Sequence, residues 1–272
     1  MIDVVRPSLA YSLEGPSDRP VLVLAHGLGL SAAMWDPQVS ALKSGFRVLR
    51  YDTRGHGASP SPHAPCTIAD LGGDLVALLD TLNVGRFHLC GLSMGGLVGM
   101  WLATHARERL LTLTLANTSA RIGPPTMWND RIATVRERGM SAISAAAIER
   151  WFTQPFLVGH KDVVDSLRRT MERTSADGYV RCSEAIRDAD LRNAITAIAT
   201  PTLVIGGTRD MATPLADAQF LSANIRGAEL VALDCAHLSN VELPHAFNDA
   251  LLAFCLRRED GASRGRADRR SS

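Results

Sequence analysis

Several absences narrow what this chain does. Its 272 residues include only five cysteines, Cys66, Cys90, Cys182, Cys235 and Cys255. They are odd in number and scattered, with neither the close pairs of a zinc site nor the spacing of a disulfide framework. That argues against a cysteine-stapled secreted scaffold and fits a reducing cytoplasm. No uninterrupted apolar run approaches the roughly 20 residues of a membrane span. The opening MIDVVRPSLAYSLEG has no continuous apolar centre and no small-residue cleavage site, so a secretory signal is not expected. Net charge is nearly missing, at +1, which speaks against nucleic acid or an acidic membrane as a partner and leaves a small molecule as the expected one. There is no internal repeat, and no ligand cluster calls for a metal or an organic cofactor.

What is present is a foldable α/β pattern. With 46% hydrophobic and 21% charged residues, the chain can bury a large core. PVLVLAHG (20–27), FRVLRYD (46–52), RFHLCG (86–91), LLTLTLAN (110–117), PTLVIGG (201–207) and AELVALD (228–234) are short apolar runs of the kind that become strands buried on both faces. Helical patterns lie between or after them, at 70–83, 94–110, 214–225 and 243–258. This alternation predicts a mostly parallel central sheet flanked by helices. It breaks between Arg121 and Ala185, where only helical segments follow GPP at 123–125. An inserted helical cap is expected over 121–185, on a core formed by 1–120 and 186–258. The Arg-rich tail 259–272 has no apolar periodicity and is expected to be disordered.

The chemistry points to Ser93. Gly91-Leu92-Ser93-Met94-Gly95 stands between an expected strand and an expected helix, the context of a nucleophile elbow. A sharp turn there strains the serine backbone, and Gly91, Gly95 and Gly96 supply the room that side chains would fill. A hydroxyl is a weak nucleophile at neutral pH and needs a base, itself oriented by a carboxylate. In this fold the order along the chain is Ser, acid, His. Of the histidines after Ser93, only His237, in LDCAHLSN, directly follows an expected strand. Asp210, in LVIGGTRDMATP, lies just past another; the end of the preceding strand offers Asn117 and no acid. The alternatives are that Asp210 caps the helix near Pro214 and that His237 is a core histidine. AHGLG (25–29) turns tightly after a strand and leaves the Leu28 N–H to join that of Met94 as an oxyanion site. His26, and Asp52, Arg54 and His56 in YDTRGHGAS, are expected to brace loops, and Cys90 to be buried packing.

These residues resemble the α/β-hydrolase superfamily over nearly the whole chain. Within it GLSMGG, YDTRGHGAS, LANTSARIGPPTMWNDRI, GMSAI…ERWFTQPF, DGYVRCSEAIRDADLR and CAHLSNVELPHAFNDAL together resemble 3-oxoadipate enol-lactonases. The segments at 117–132 and 177–192 are the more specific ones. One departure is Met211, after the acid, where that family suggests proline. The resemblance implies hydrolysis of 3-oxoadipate enol-lactone to 3-oxoadipate in aromatic catabolism, with no cofactor. A general carboxylesterase, a carbon–carbon hydrolase and a small-molecule receptor use the same scaffold and stay open. The implied substrate carries a free carboxylate that needs a cationic or hydrogen-bonding partner. Arg121 and Arg131 at the cap entrance, beside an apolar wall at Trp128, are candidates; the alternative is that both arginines are solvated.

Overall fold

A computed structural model describes residues 9–61 and 64–268. Strands β1 (Tyr11–Glu14), β2 (Val21–Ala25), β3 (Arg47–Tyr51), β4 (Phe87–Leu92), β5 (Leu110–Ala116), β6 (Thr202–Gly207) and β7 (Glu229–Leu233) form one sheet in the order β1-β3-β2-β4-β5-β6-β7. Only β1 runs antiparallel, pairing with β3 from Tyr11 opposite Tyr51 to Glu14 opposite Val48. The other neighbours are parallel. Every residue of β2, β4 and β6 is buried, as continuous apolar strands covered on both faces must be. Alternate residues serve the two faces: Val21, Val23 and Ala25 enter one core cluster, Leu22 and Leu24 the other. The edge strand β7 instead alternates between half-buried and exposed residues.

β1 is an addition to the six strands expected. It is a short, half-exposed edge strand, so it carries no apolar run by which to be found.

Helices α1 (Asp36–Leu42), α2 (Ile68–Thr81) and α3 (Met94–His105) follow β2, β3 and β4. α2 begins at a reciprocal capping box between Thr67 and Asp70, which satisfies two N–H groups that a helix start otherwise leaves unpaired. Between β5 and β6 come five consecutive helices: α4 (Pro125–Arg138), α5 (Ser141–Trp151), α6 (Gln154–Gly159), α7 (Lys161–Arg173) and α8 (Ala176–Asp188). α9 (Leu215–Asn224) joins β6 to β7, and α10 (Ser239–Glu242) and α11 (Pro244–Asp268) close the chain. α11 runs past Arg258, so the backbone is helical as far as Asp268 in the segment expected to be disordered; residues 269–272 lie outside those described. A helix nucleated on buried residues propagates into polar sequence at little cost per residue. No helix among the described residues is long and apolar enough to cross a membrane.

Candidate active site

Ser93 occupies the turn from β4 into α3 with φ 55° and ψ −113°, a left-handed conformation that costs a non-glycine residue about 1–3 kcal/mol. The surroundings hold it there. The Ser93 N–H donates to the Ala116 carbonyl at 3.0 Å, and the Ser93 carbonyl accepts from Gly96 N–H at 2.9 Å and from Thr118 Oγ1 at 2.7 Å. A Cβ at Gly91 would strike the Gly95 carbonyl, one at Gly95 the Ala25 carbonyl, and one at Gly96 the Thr118 side chain. Glycine is therefore needed at all three positions for the turn to close.

His237 lies in the loop after β7 and its Nδ1–H donates to Asp210 Oδ2 at 2.8 Å, which leaves Nε2 for another partner. Asp210, after β6, is buried. Its Oδ1 accepts from the N–H groups of Ala212 and Thr213 at 2.7 and 2.9 Å. Its Oδ2 also accepts from Thr213 Oγ1 at 2.8 Å and Asn117 Nδ2 at 3.0 Å. Burial pushes this carboxyl's pKa up. The His237 charge and the hydrogen bonds from His237, Thr213 and Asn117 outweigh that and hold it at about 2. Asp210 is thus ionised at neutral pH.

Two further groups position the histidine loop. Asn117, itself at φ 42°, donates to the Ala236 carbonyl at 3.1 Å. Glu242 Oε2 accepts from the Ala236 N–H at 3.0 Å, and its Oε1 accepts from Thr153 Oγ1, just ahead of α6. The Leu238 N–H donates to the Trp151 carbonyl at 3.1 Å. The histidine loop is consequently bonded to both the sheet and the inserted helices.

Across the cavity the loop after β2 carries Gly27 and Leu28. The His26 ring accepts from the Thr53 N–H at 2.9 Å and bonds the Gly27 carbonyl at 2.8 Å. His56 Nε2 accepts from the Gly29 N–H at 3.0 Å. Burial, and then the neighbouring His26, lower the His56 pKa to about 3, so its ring is neutral and able to accept. Asp52 accepts from Ala32 and Ala58 N–H groups at 2.7 and 2.8 Å, and Arg54 forms a two-pronged pair with Asp74. These four side chains brace the two glycine-rich loops. Met94 opens α3, so its N–H is among those a helix leaves without an internal partner.

One cavity brings together Ser93, His237, Leu28, Trp128 and Arg131. Trp128 is buried, its Nε1–H bonded to the Ile122 carbonyl at 2.6 Å, with the Arg131 guanidinium 5.1 Å from the ring centroid. Burial pushes the pKa of the neighbouring Tyr179 hydroxyl up, against the opposing charge of Arg131. Arg121 is not brought in: it is exposed, does not line the cavity, and lies 3.8 Å from Asp190. The cavity's second guanidinium is Arg150, on α5, whose Nη2–H donates to the Met211 carbonyl at 3.2 Å. Burial, and then the Arg131 charge, lower its pKa. Among the described residues neither Arg131 nor Arg150 has a carboxylate within ion-pair distance.

Residues 22–250 match the model of the alpha/beta hydrolase family. The chain belongs to that family. It is 42% identical to 3-oxoadipate enol-lactonase 2 of Acinetobacter baylyi over 250 residues, covering 92% of this chain and 94% of that one. The crystal structure of an enol-lactonase from Burkholderia xenovorans superposes with a TM-score of 0.90 at 43% identity, over 91% of this chain and 96% of that one. A hydrolase structure from Pseudomonas aeruginosa gives a TM-score of 0.89 at 46% identity, over 91% and 94%. In this alpha/beta hydrolase the departure at Met211 leaves the hydrogen bonds of Asp210 in place: Met211 is 68% exposed, and its carbonyl accepts from Arg150. Sequence reasoning missed Arg150, Trp151, Tyr179 and the Asn117 and Glu242 clamps. The motif ERWFTQPF contained Arg150, but nothing local marks which face of α5 meets the cavity.

Proposed function

We propose that this alpha/beta hydrolase opens 3-oxoadipate enol-lactone to 3-oxoadipate, with Ser93 as nucleophile, His237 as base and Asp210 as its orienting acid. The observation that carries the substrate assignment is the pair of guanidiniums, Arg131 and Arg150, facing the Ser93 cavity without carboxylate partners. Two half-buried cations beside an apolar wall, with no carboxylate among the described residues to meet them, favour a ligand that is itself anionic. A lactone with a free carboxylate meets that requirement, and the two enol-lactonases similar to this chain support the choice.

His237 Nε2 takes the Ser93 proton as Oγ attacks the lactone carbonyl carbon. The oxyanion rests on the Leu28 and Met94 N–H groups, with the positive end of α3 behind it. The ring C–O bond breaks, the departing enolate oxygen takes the proton from His237, and the resulting enol becomes a ketone. His237, neutral again, draws a proton from water as its oxygen attacks the acyl carbon, and returns that proton to Ser93 Oγ as the acid leaves. Arg131 and Arg150 hold the side-chain carboxylate throughout, and Trp128 covers the apolar part. Residues 121–185 act as the cap over the core of 1–120 and 186–258, and the protein works in the cytoplasm, which an odd, scattered set of five cysteines suits.

The test is the fall in ultraviolet absorbance when enol-lactone generated in situ meets the purified protein. Rapid loss that disappears in Ser93→Ala is the expected result. Turnover of p-nitrophenyl acetate without turnover of the enol-lactone would assign a general esterase instead, and turnover of neither would assign a binding protein.

A further inference from the structure

Between α5 and α6 the chain breaks for Phe152 and Thr153 alone. A helix end leaves its last carbonyls, and a helix start its first N–H groups, without partners inside the helix. Here both kinds of group turn toward the loop that carries His237. The Trp151 carbonyl accepts from the Leu238 N–H at 3.1 Å. Thr153 gives its hydroxyl proton to Glu242 Oε1 and its N–H to Glu242 Oε2, the latter at 3.4 Å. The same Oε2 accepts from the Ala236 N–H at 3.0 Å. The N–H groups on either side of His237 are thus held from the inserted helices, one directly and one through a carboxylate. On the other side the loop meets the core: Asn117 takes the Ala236 carbonyl, and a Cβ on Gly207 would lie 2.4 Å from that oxygen. His237 therefore rides on a stretch of backbone pinned between the sheet and the insertion.

We propose that Thr153 and Glu242 are positioning residues for the reaction, a link through which the inserted helices set the reach of His237 toward Ser93. The proposal deepens the function above and rests on its triad. Asp210 fixes the direction of the imidazole through Nδ1. The ring still moves with its own backbone, and Nε2 has to stay within hydrogen-bond reach of the serine hydroxyl for the proton to pass. A small displacement caused far from the reacting atoms is enough to slow such a step markedly. Thr153 is such a distant point: it does not line the cavity, and it acts on His237 only by way of Glu242 and Ala236. The same segment also meets the ligand side of the site. Arg150, in the last turn of α5, faces the cavity and bonds the Met211 carbonyl beside Asp210. The insertion accordingly touches the base loop and the acid loop from one place, and its part in the reaction extends beyond choosing the ligand. The competing role is anchorage, in which the link fastens α6 to the core and contributes to stability alone.

The experiment measures steady-state hydrolysis of p-nitrophenyl acetate by the full-length protein well below its Tm, with Tm recorded alongside. This neutral ester needs the triad and makes no demand on Arg131 or Arg150. Thr153→Val keeps the side-chain shape and removes the hydroxyl; it should lower kcat by roughly 10- to 100-fold while KM stays within about twofold. Thr153→Ser, which keeps the hydroxyl, should hold kcat within about threefold of wild type. Glu242→Gln, left with a single acceptor oxygen, should show the same split as Thr153→Val. Wild-type kcat in Thr153→Val beside a lowered Tm would assign anchorage and overturn the proposal, and so would equal losses in the Val and Ser variants. Should Thr153→Val not fold, Glu242→Gln decides alone, an unchanged kcat being the overturning result. Ser93→Ala is assayed in parallel. If it keeps turnover, the triad fails and this link with it; if it is inactive while Thr153→Val behaves as wild type, the link alone fails.

Discussion

Ser93 sits in a turn whose shape is forced by three glycines and a ring of backbone hydrogen bonds. Arg150 reaches the same cavity from a helix, half-buried, held by a single bond to a loop carbonyl at 3.2 Å. One half of the site is built from main chain with almost no freedom. The other is built from long side chains projecting from inserted helices. Backbone geometry suits a reaction that needs atoms placed within a few tenths of an ångström, and side chains suit the choice of ligand, because they change without disturbing the fold.

The predictions use this contrast, starting with the core half. Ser93→Ala or His237→Ala should lower kcat by about 10⁴ or more on the enol-lactone and on p-nitrophenyl acetate alike, with Tm nearly unchanged. A variant keeping a tenth of wild-type turnover would sink the proposed triad. Asp210→Asn should cost less than loss of His237, on the order of 10³, because the acid orients the imidazole and stabilises its charged form. An unchanged rate would send the search to another carboxylate.

Asp210 also sharpens the comparison through pH. Its native carboxyl, at about 2, lies below the ordinary value near 4, so its stabilising contribution is complete above about pH 4 and is lost as pH falls toward 2. Thermal unfolding from pH 6 to 2 should show the wild-type advantage over Asp210→Asn shrinking in that window. A constant gap would mean that the carboxyl is not depressed.

The insertion half should respond selectively. Arg150→Met and Arg131→Met, which keep the apolar stem, should each lower kcat/KM on the enol-lactone by roughly 10- to 100-fold, the equivalent of a charge-assisted hydrogen bond of about 1.5–3 kcal/mol. Their rates on neutral p-nitrophenyl acetate should stay near wild type. Equal losses on both substrates would show a damaged cavity and erase the division between the two halves. The smallest effect belongs to Arg121→Met. Since this side chain is exposed beside Asp190, both rates should remain within about twofold, and a selective loss would place it at the site after all.

Legibility followed the same division. The elbow, the sheet strands from β2 to β7 and the two loops that carry Asp210 and His237 leave local marks: glycines where a Cβ collides, and apolar runs where strands are covered twice. β1 left none, being short and at an edge. Arg121 and Arg131 were equally plausible from sequence, because both lie in one motif near Trp128. Arg150 and Tyr179 come from other helices, and nothing in their neighbours' identities tells which way they point.

By itself the sequence determined the parallel sheet and the position of Ser93 at a strained turn, and it put Asp210 and His237 in loops directly after strands, because burial on two faces and glycine-only contacts are local demands written residue by residue. Only the tertiary structure decided that Asn117 and Glu242 clamp the histidine loop, and that Arg150 and not Arg121 joins Arg131 in the cavity. Those outcomes depend on how helices far apart in the chain pack against the sheet, and a packing contact between distant segments has no local signature.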